Sequence, residues 1–347
     1  MRLGDGSVTE DKDLPEIAVV DLGRQSFDQL ALMAPDKVAR LAAAGRALVS
    51  SPVQALMDWR SKSWLARNVT PYAGEIARID AMPGISGVCA LNLSTEWACS
   101  SMVNGGRLMR VLDWPLNGLG AELTITRHDS DHGAWWQATW PGFVGVLTGM
   151  APGRFAAAYN QPPIRRTTGL KILDWVFERC RVHRRSAIPP THLLRQVFEK
   201  ASDFEAAVAM LRDTPLAIPA LFSLTGAEGQ SVVIERLEDR ARLRPGPVAI
   251  SNHWPALENS PDWPIGHPRG VDSPGRFRDA CALAASLDTL PADFSWLRYP
   301  VLNKFSRLVV MADCVAGAFT VLGLEQAGES ALPATRILQL NGLKAGR

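Results

Sequence analysis

The sequence lacks most features that would assign it to a specialised class of protein. Its 347 residues include only five cysteines, widely spaced and without a CxxC pair. The 37 basic and 35 acidic side chains nearly cancel, which favours neither a nucleic-acid nor a membrane-surface partner. No apolar run reaches the roughly 18 residues of a transmembrane segment, and residues 1–16 contain no secretory-signal core. We therefore expect a cytoplasmic protein with reduced thiols.

Common catalytic and cofactor motifs are missing as well. No GxGxxG, Walker, HExxH or GxSxG pattern occurs in a strand–turn–helix setting. His128 and His132 flank a predicted turn, where we expect solvated side chains and not metal ligands. The sequence therefore predicts no cofactor and no metal, and a metal-dependent hydrolase ranks last among the functions considered.

The apolar pattern divides the chain into helical and β-rich parts. Apolar residues recur at helical spacing over 26–60 and again in YAGEIARIDA. From Cys99 onward, short runs of branched and aromatic residues alternate with glycine-containing turns, which predicts antiparallel strands. Further helices are predicted at 169–180, 191–200, 204–212 and 276–288, with strands at ALFSLTG, SVVIERLE and PVAISN and a final pair around 305–324. This order predicts an α+β fold in which helices pack on stacked antiparallel sheets.

Pattern alone gives the candidate functional residues no special status. A cysteine at the start of a strand, such as Cys99, is more often buried and inert than nucleophilic. Arg110 and Asp113 in RLMRVLDW are equally typical of an exposed strand pair. Asn252 fits a turn, and Arg276 fits the beginning of a helix. On these grounds the interpretation ends at a soluble α+β domain.

A series of ordered motifs extends this interpretation. They are YAGEIARIDAMPGISGVCALNLSTEWACSS, RVLDW (110–114), WPGFVGVLTGMAPGRFAAAYN, GLKILDWVFER, SNHW (251–254) and YPVLNK (299–304). From about residue 72 to 324, the chain resembles the acid ceramidase and N-acylethanolamine-hydrolysing acid amidase family, relatives of the choloylglycine hydrolases. Cys99 stands at that family's nucleophile position.

The resemblance implies the four-layer αββα sandwich of N-terminal-nucleophile hydrolases. Residues 1–98 would form a helical pro-segment and residues 99–347 the catalytic domain. The chain would cut itself between Ala98 and Cys99, and the freed α-amine of Cys99 would then act as the base for its own thiol. We expect the pro-segment to stay associated, because its apolar helices would otherwise expose hydrophobic surface.

Matching positions implies roles for four further residues. Asp113 would orient the new α-amine, and Arg110 would favour the thiolate. Asn252 would donate its side-chain amide to the tetrahedral oxyanion. Arg276 would brace the site, with Arg278 a close rival for that place.

Two further features bear on the substrate and on self-cleavage. The apolar side chains expected to line an acyl channel are Trp114, Phe143, Val144 and Leu147, and sheet core is an equally good interpretation of them. After Asn160 the family has an acidic residue where this chain has Gln161, and this departure means that a carboxylate contribution to self-cleavage does not carry over to this chain.

The implied activity is hydrolysis of the linear amide bond of a small-molecule N-acyl amide, such as a fatty-acyl ethanolamide or a ceramide-like amide. One alternative is an acyltransferase of the same fold that passes the acyl group from Cys99 to an amine acceptor. The other is an uncleaved, non-catalytic lipid-binding protein.

Overall fold

The computed structural model of the chain describes residues 13–48, 51–68, 70–93, 97–255, 263–264 and 266–345. Its helices are α1 (Asp28–Met33), α2 (Pro35–Leu48), α3 (Ser51–Arg67), α4 (Ala73–Asp80), α5 (Val88–Asn92), α6 (Lys171–Val182), α7 (Pro190–Lys200), α8 (Phe204–Asp213) and α9 (Ser273–Ala284). Its strands are β1 (Ala18–Gly23), β2 (Ala98–Asn104), β3 (Arg107–Asp113), β4 (Thr124–Ser130), β5 (Gly133–Thr139), β6 (Thr148–Ala151), β7 (Phe155–Asn160), β8 (Ile164–Arg165), β9 (Ala220–Gly226), β10 (Ser231–Arg236), β11 (Ala241–Pro245), β12 (Val248–Ile250), β13 (Gly266–His267), β14 (Ser306–Asp313), β15 (Ala318–Ala327), β16 (Ser330–Pro333) and β17 (Leu338–Leu340). Within these described ranges, no helix has both the length and the apolarity needed to cross a bilayer.

Two large sheets form the centre of the molecule. The first has the strand order β1-β4-β5-β6-β7-β9-β10-β11, and the second has the order β12-β2-β3-β14-β15-β16, with β17 beside β15. Neighbouring strands of β2 to β16 in these sheets run antiparallel, as predicted, whereas β1 runs parallel to β4.

The alternation of side chains along β2 and β3 orients the second sheet. Cys99, Val103 and Leu112 belong to the core that the two sheets share. Met102 and Val111, which occupy the opposite face of the same strands, belong to a second core. Since successive strand residues point to opposite faces, the sheet is buried on both sides.

Helices cover the outer faces of both sheets. Leu193 and Phe198 of α7 and Leu211 of α8 are buried where these helices contact strands of the first sheet. Ala280 and Ala284 lie four residues apart on α9 and pack into the second core. The layers therefore run helix, sheet, sheet, helix, and the predicted αββα sandwich is confirmed.

The sequence predicts a helical N-terminal part, but the structure shows that this part also contains a strand. Helices α1 to α5 share a small core that includes Val38, Trp64 and Ile76 and also Val144 from the sheet region. However, Ala18–Gly23 form β1, which adds a parallel edge strand to the first sheet. The segment before Cys99 is thus part of the sandwich as well as a helical cover.

The prediction of solvated histidines beside the β4–β5 turn is wrong for one of the two. His132 is exposed, but His128 is buried. Its ring stacks between Phe27 and Trp135, with centroid separations of 4.4 and 4.3 Å. The α1 region therefore covers a position that the local pattern assigned to solvent.

Candidate active site

Cys99 and Arg110 meet because of the register between β2 and β3. Ser101 is the cross-strand partner of Arg110, so Cys99 occupies the diagonal position on the same face. Arg110 Nη2 donates to the Cys99 Sγ over 2.8 Å. Arg110 also donates to Thr148 Oγ1 over 2.8 Å and to the Tyr159 carbonyl oxygen over 3.1 Å. The guanidinium is fully buried and ties the thiol to the opposite sheet.

Burial and charge act in opposite directions on the Cys99 thiol. Burial raises the pKa of the Cys99 thiol, because a thiolate is poorly solvated there. The positive charge and hydrogen bond of Arg110 lower the same pKa and offset part of this effect. Arg110 is thus placed to favour the thiolate, as the resemblance implied.

The backbone of Cys99 is held on both sides. Its N–H donates to Asn252 Oδ1 over 2.8 Å, and its carbonyl oxygen accepts from Arg276 Nη1 over 2.6 Å. Arg276 Nη2 also donates to Asn252 Oδ1 over 3.0 Å. These bonds connect Cys99, Asn252 and Arg276 in a closed arrangement, and all three residues are fully buried.

The start of α9 positions Asn252 and Arg276. The backbone N–H of Asn252 donates to Ser273 Oγ over 2.9 Å. Arg276 Nε donates to the Val271 carbonyl oxygen over 2.6 Å, and Nη2 donates to that of Arg269 over 2.8 Å. The rival Arg278 lies elsewhere: its side chain is 79% exposed. The structure therefore brings Arg276, and not Arg278, to Cys99.

Asp113 lies across the ladder from Ala98, the residue before Cys99. Its carboxylate accepts from Ser306 Oγ over 2.7 Å and from Asn303 Nδ2 over 2.9 Å. Arg276 Nη1 lies 3.7 Å from the same carboxylate. Burial raises the pKa of Asp113, and the charge of Arg276 acts against that rise.

The contacts of Asn252 and Asp113 differ from the roles implied for them. In this uncut chain, Asn252 Oδ1 and not the Asp113 carboxylate accepts from the Cys99 N–H, the group that would become the α-amine. Asn252 Nδ2, the implied oxyanion donor, donates to the Gln161 carbonyl oxygen over 2.8 Å. At Gln161 the chain therefore contributes a backbone acceptor, which any residue type would supply.

The four residues expected in an acyl channel are all buried, and three of them, Trp114, Phe143 and Leu147, belong to one core. Trp114 packs on Trp97 beside the site, with a centroid separation of 5.1 Å. Phe143 and Leu147 lie in the shared core of the sheets, and Val144 lies in the N-terminal core. These three side chains therefore pack in apolar cores and do not line a channel.

A cleft of about 520 Å³ borders Ala98 and Asp113 instead. Its apolar walls include Trp97, Ile172 and Phe305. This cleft opens beside the bond between Ala98 and Cys99.

Sequence reasoning missed several residues that build the site. Thr148 and Tyr159 lie in the WPGFVGVLTGMAPGRFAAAYN motif, which marked the segment but not these two acceptors for Arg110. Asn303 lies in the YPVLNK motif, which marked the segment but not this contact. Gly270 adopts a φ of +72°, and a Cβ there would collide with Ala98. A glycine is thus required for the close approach of this loop to the bond before Cys99.

One cluster among the described residues has the composition of a metal site. Ligand atoms of Asp58, Asp80 and Cys89 lie within 4.8 Å of one another. Lys62 Nζ lies 3.1 Å from the Asp58 carboxylate and 3.0 Å from that of Asp80. The Lys62 ammonium already bridges the two carboxylates, so the cluster is explained as an ion-pair network.

The fold and site thus define an αββα protein in which a buried cysteine near the start of β2 is hydrogen-bonded through its thiol, its N–H and its carbonyl oxygen. Among curated relatives, the chain is similar to acid ceramidase of Homo sapiens, with 26% identity over 187 residues that cover 52% of this chain and 46% of the relative. Acid ceramidase of Heterocephalus glaber is 32% identical over 215 residues, covering 54% and 52%. N-acylethanolamine-hydrolyzing acid amidase of Cavia porcellus is 28% identical over 197 residues, covering 53% and 51%. The resemblance to these proteins is confirmed, and the chain spans about half the length of each.

No protein-family model matches the chain. Among solved structures, the chain is similar to the Caenorhabditis elegans N-acylethanolamine-hydrolyzing acid amidase ortholog, at 18% identity and a TM-score of 0.40 over 63% of this chain and 93% of that one. It is also similar to a variant of conjugated bile acid hydrolase from Clostridium perfringens, at 11% identity and a TM-score of 0.38 over 72% and 98%. With TM-scores this low, the fold rests on the sheets and helices described above.

Proposed function

We propose that the chain cuts itself between Ala98 and Cys99 and that Cys99 then hydrolyses the amide bond of an N-acyl amide. The observation that carries this proposal is the hold on Cys99. Arg110 contacts its thiol, Asn252 its N–H and Arg276 its carbonyl oxygen. Any buried backbone N–H and C=O needs a partner, but a merely structural cysteine needs no buried guanidinium on its thiol.

The self-cleavage step needs no co-reactant other than water. The Cys99 Sγ attacks the carbonyl carbon of Ala98, the peptide C–N bond breaks, and the Cys99 nitrogen takes up the thiol proton. The resulting thioester is hydrolysed by water, which releases the Ala98 carboxylate and regenerates the thiol. Arg110 favours the thiolate during attack, and Asn252 Oδ1 accepts from the nitrogen that becomes the amine.

Substrate hydrolysis repeats this chemistry on an external amide. The α-amine of Cys99 accepts the thiol proton and delivers it to the leaving amine as the C–N bond breaks. An α-amine has a reference pKa of about 7.7–8.0, which suits a base working near neutral pH. Water then attacks the acyl-thioester, so the products are a free acid and an amine.

Contacts around Arg195 support retention of the 1–98 segment after cleavage. Arg195 forms two hydrogen bonds to the Glu75 carboxylate, at 2.7 and 2.8 Å, and one to Glu199 at 2.7 Å. Its guanidinium lies 3.6 Å from the ring centroid of Phe27 and 3.9 Å from that of Tyr72. Glu75, Phe27 and Tyr72 precede the proposed cut, and Arg195 follows it. This buried clamp is independent of the bond that is cut.

The proposal is tested by incubating the purified, self-cut protein with N-lauroylethanolamine and quantifying lauric acid. The expected result is release of lauric acid by the wild type and none by a Cys99→Ala variant. Adding a primary amine acceptor separates hydrolase from acyltransferase, because a transferase diverts the acyl group into a new amide. A self-cut protein that releases no acid from any N-acyl amide tested contradicts the proposal.

A further inference from the structure

The cleft beside Ala98 combines apolar walls with a charged rim. Ile164, Ile172, Trp175 and Phe305 contribute to the walls, and Lys171 lies at the beginning of α6. Lys171 and Trp175 are four residues apart, so both project from the same side of this helix. An elongated ligand that extends along α6 would meet a cation at one end and apolar surface along its length.

The other charges of the cleft are already compensated. Arg269 donates to Glu178 over 2.6 Å and to the Pro162 carbonyl oxygen over 2.9 Å. Asp113 is buried between hydrogen-bond donors, and burial raises its pKa. By contrast, Lys171 is exposed and forms no ion pair with any residue that the structure describes.

The acidic residue nearest to Lys171 along α6 already has other hydrogen-bond partners. Asp174 is buried and accepts hydrogen bonds from the N–H and hydroxyl of Thr168 and from the N–H of Gly169. Its second oxygen lies 2.8 Å from His267 Nε2. The positive charge of Lys171 therefore has no carboxylate partner on its own helix turn.

Lys171 occupies a position that local helix electrostatics disfavour. The first turn of a helix carries partial positive charge, so acidic residues are favoured there and lysine is not. A residue that breaks a local rule without a compensating contact is expected mainly at functional sites. Trp97, which lines the same cleft, carries a buried Nε1–H that has no hydrogen-bond partner among the described residues.

We propose that Lys171 binds a carboxylate on the amine-derived half of the substrate, so that the preferred substrates are N-acyl amino acids. This inference rests on the proposed amide hydrolysis by Cys99. An aliphatic acyl chain carries no charge, which leaves the amine-derived half to supply the anion that Lys171 lacks. The reaction converts the acyl amino acid and water into a free fatty acid and an amino acid.

The test compares kcat/KM for N-lauroylglycine and N-lauroylethanolamine, which share the acyl chain and differ in carboxylate against hydroxymethyl. We expect the wild type to favour the glycine conjugate by about fivefold, the upper range for an exposed charge pair. Lys171→Gln should bring the ratio close to one, and Lys171→Glu should invert it. The preference should also shrink at about 1 M salt, where the Debye length is about 3 Å.

Lys200→Gln is the matched control, because Lys200 is an exposed lysine at the end of α7 and does not border the cleft. It should leave the ratio at the wild-type value.

The monoamide of dodecanedioic acid with ethanolamine moves the carboxylate to the acyl end. A kcat/KM for this compound equal to that for N-lauroylglycine would overturn the assignment of the carboxylate to the amine half. A wild-type ratio near one, or a Lys171→Gln ratio equal to wild type, overturns the role of Lys171 while hydrolysis itself stands. A self-cut protein that hydrolyses none of these amides overturns both the proposed function and this inference.

Discussion

Arg276 donates to the carbonyl oxygen of Cys99 over 2.6 Å from the first turns of α9. Together with the bond from the Cys99 N–H to Asn252, this contact fixes the peptide groups on both sides of Cys99. Because the backbone is fixed, the direction in which the thiol can attack is fixed as well. Under the proposed function, we expect Arg276 to position Cys99 and not to contact a substrate.

Arg276→Ala and Arg278→Ala form a matched pair two residues apart. We expect Arg276→Ala to slow self-cleavage by about 10²-fold, since a displacement of about 1 Å at a reacting centre costs that much. Arg278 is largely exposed, and its replacement should leave the rate unchanged. The fraction of cut chain is followed over time on denaturing gels. Equal rates for the two variants would contradict the positioning role.

Arg110 should control the reactivity of the Cys99 thiol. Its charge opposes the effect of burial on the thiol pKa, so Arg110→Gln should raise that pKa further. The rate of iodoacetamide alkylation at Cys99 is measured against pH by mass spectrometry, and the curve should move to higher pH in the variant. Arg107→Gln is the control, because Arg107 lies on the same strand as Arg110 but pairs with Asp313 of β14. Superimposable curves for Arg110→Gln and wild type would refute this role.

Asp113 should make the uncut protein less stable as the pH rises. Burial raises the native pKa of Asp113, whereas an unfolded aspartate titrates near about 3.9. Stability from this group is therefore fully present below about pH 3.9 and is lost as the pH rises through the native pKa. Urea unfolding compares Cys99→Ala with the Cys99→Ala, Asp113→Asn double variant. As the pH rises above about 3.9, the free energy of unfolding should fall less for the double variant than for Cys99→Ala. Parallel plots of the free energy of unfolding against pH would be evidence against the raised pKa.

Glu75 should be needed to keep the two pieces together after cleavage. Glu75→Leu leaves Arg195 buried without its bidentate partner, and breaking such a buried pair costs about 3–5 kcal/mol. Native size-exclusion chromatography of the cut protein should then separate the 1–98 piece. Asp213→Leu removes an exposed ion pair with Arg212 and should leave the pieces together. Co-elution of the pieces in the Glu75→Leu protein would show that the clamp is dispensable.

The layers of the fold were predictable, but some of their edges were not. Period-two runs after Cys99 and period-3.6 runs such as 191–200 identify strands and helices from local sequence alone. The parallel pairing of Ala18–Gly23 with β4 joins segments about a hundred residues apart, and no local pattern encodes that pairing. The burial of His128 depends in the same way on Phe27, which comes from the N-terminal segment.

The members of the site were predictable by motif, whereas their contacts were not. A charged strand residue such as Arg110 suggests solvent exposure, yet the diagonal register with Cys99 places it between two sheets. Which atom of Asn252 faces Cys99 depends on Gln161 and Arg276, which lie far from it in sequence. Contacts of this kind follow from packing, so the sequence indicates which residues form the site but not which of their atoms are hydrogen-bonded to each other.

The most direct test of the central claim is the intact mass of the purified protein under denaturing conditions, beside a Cys99→Ala control. The account predicts two species in the wild type whose masses meet between Ala98 and Cys99, and a single full-length chain in the control. A wild-type chain that stays uncut across pH would contradict self-cleavage and the N-terminal nucleophile that depends on it. The same pair of fragments in the Cys99→Ala protein would show that Cys99 is not the residue that cuts.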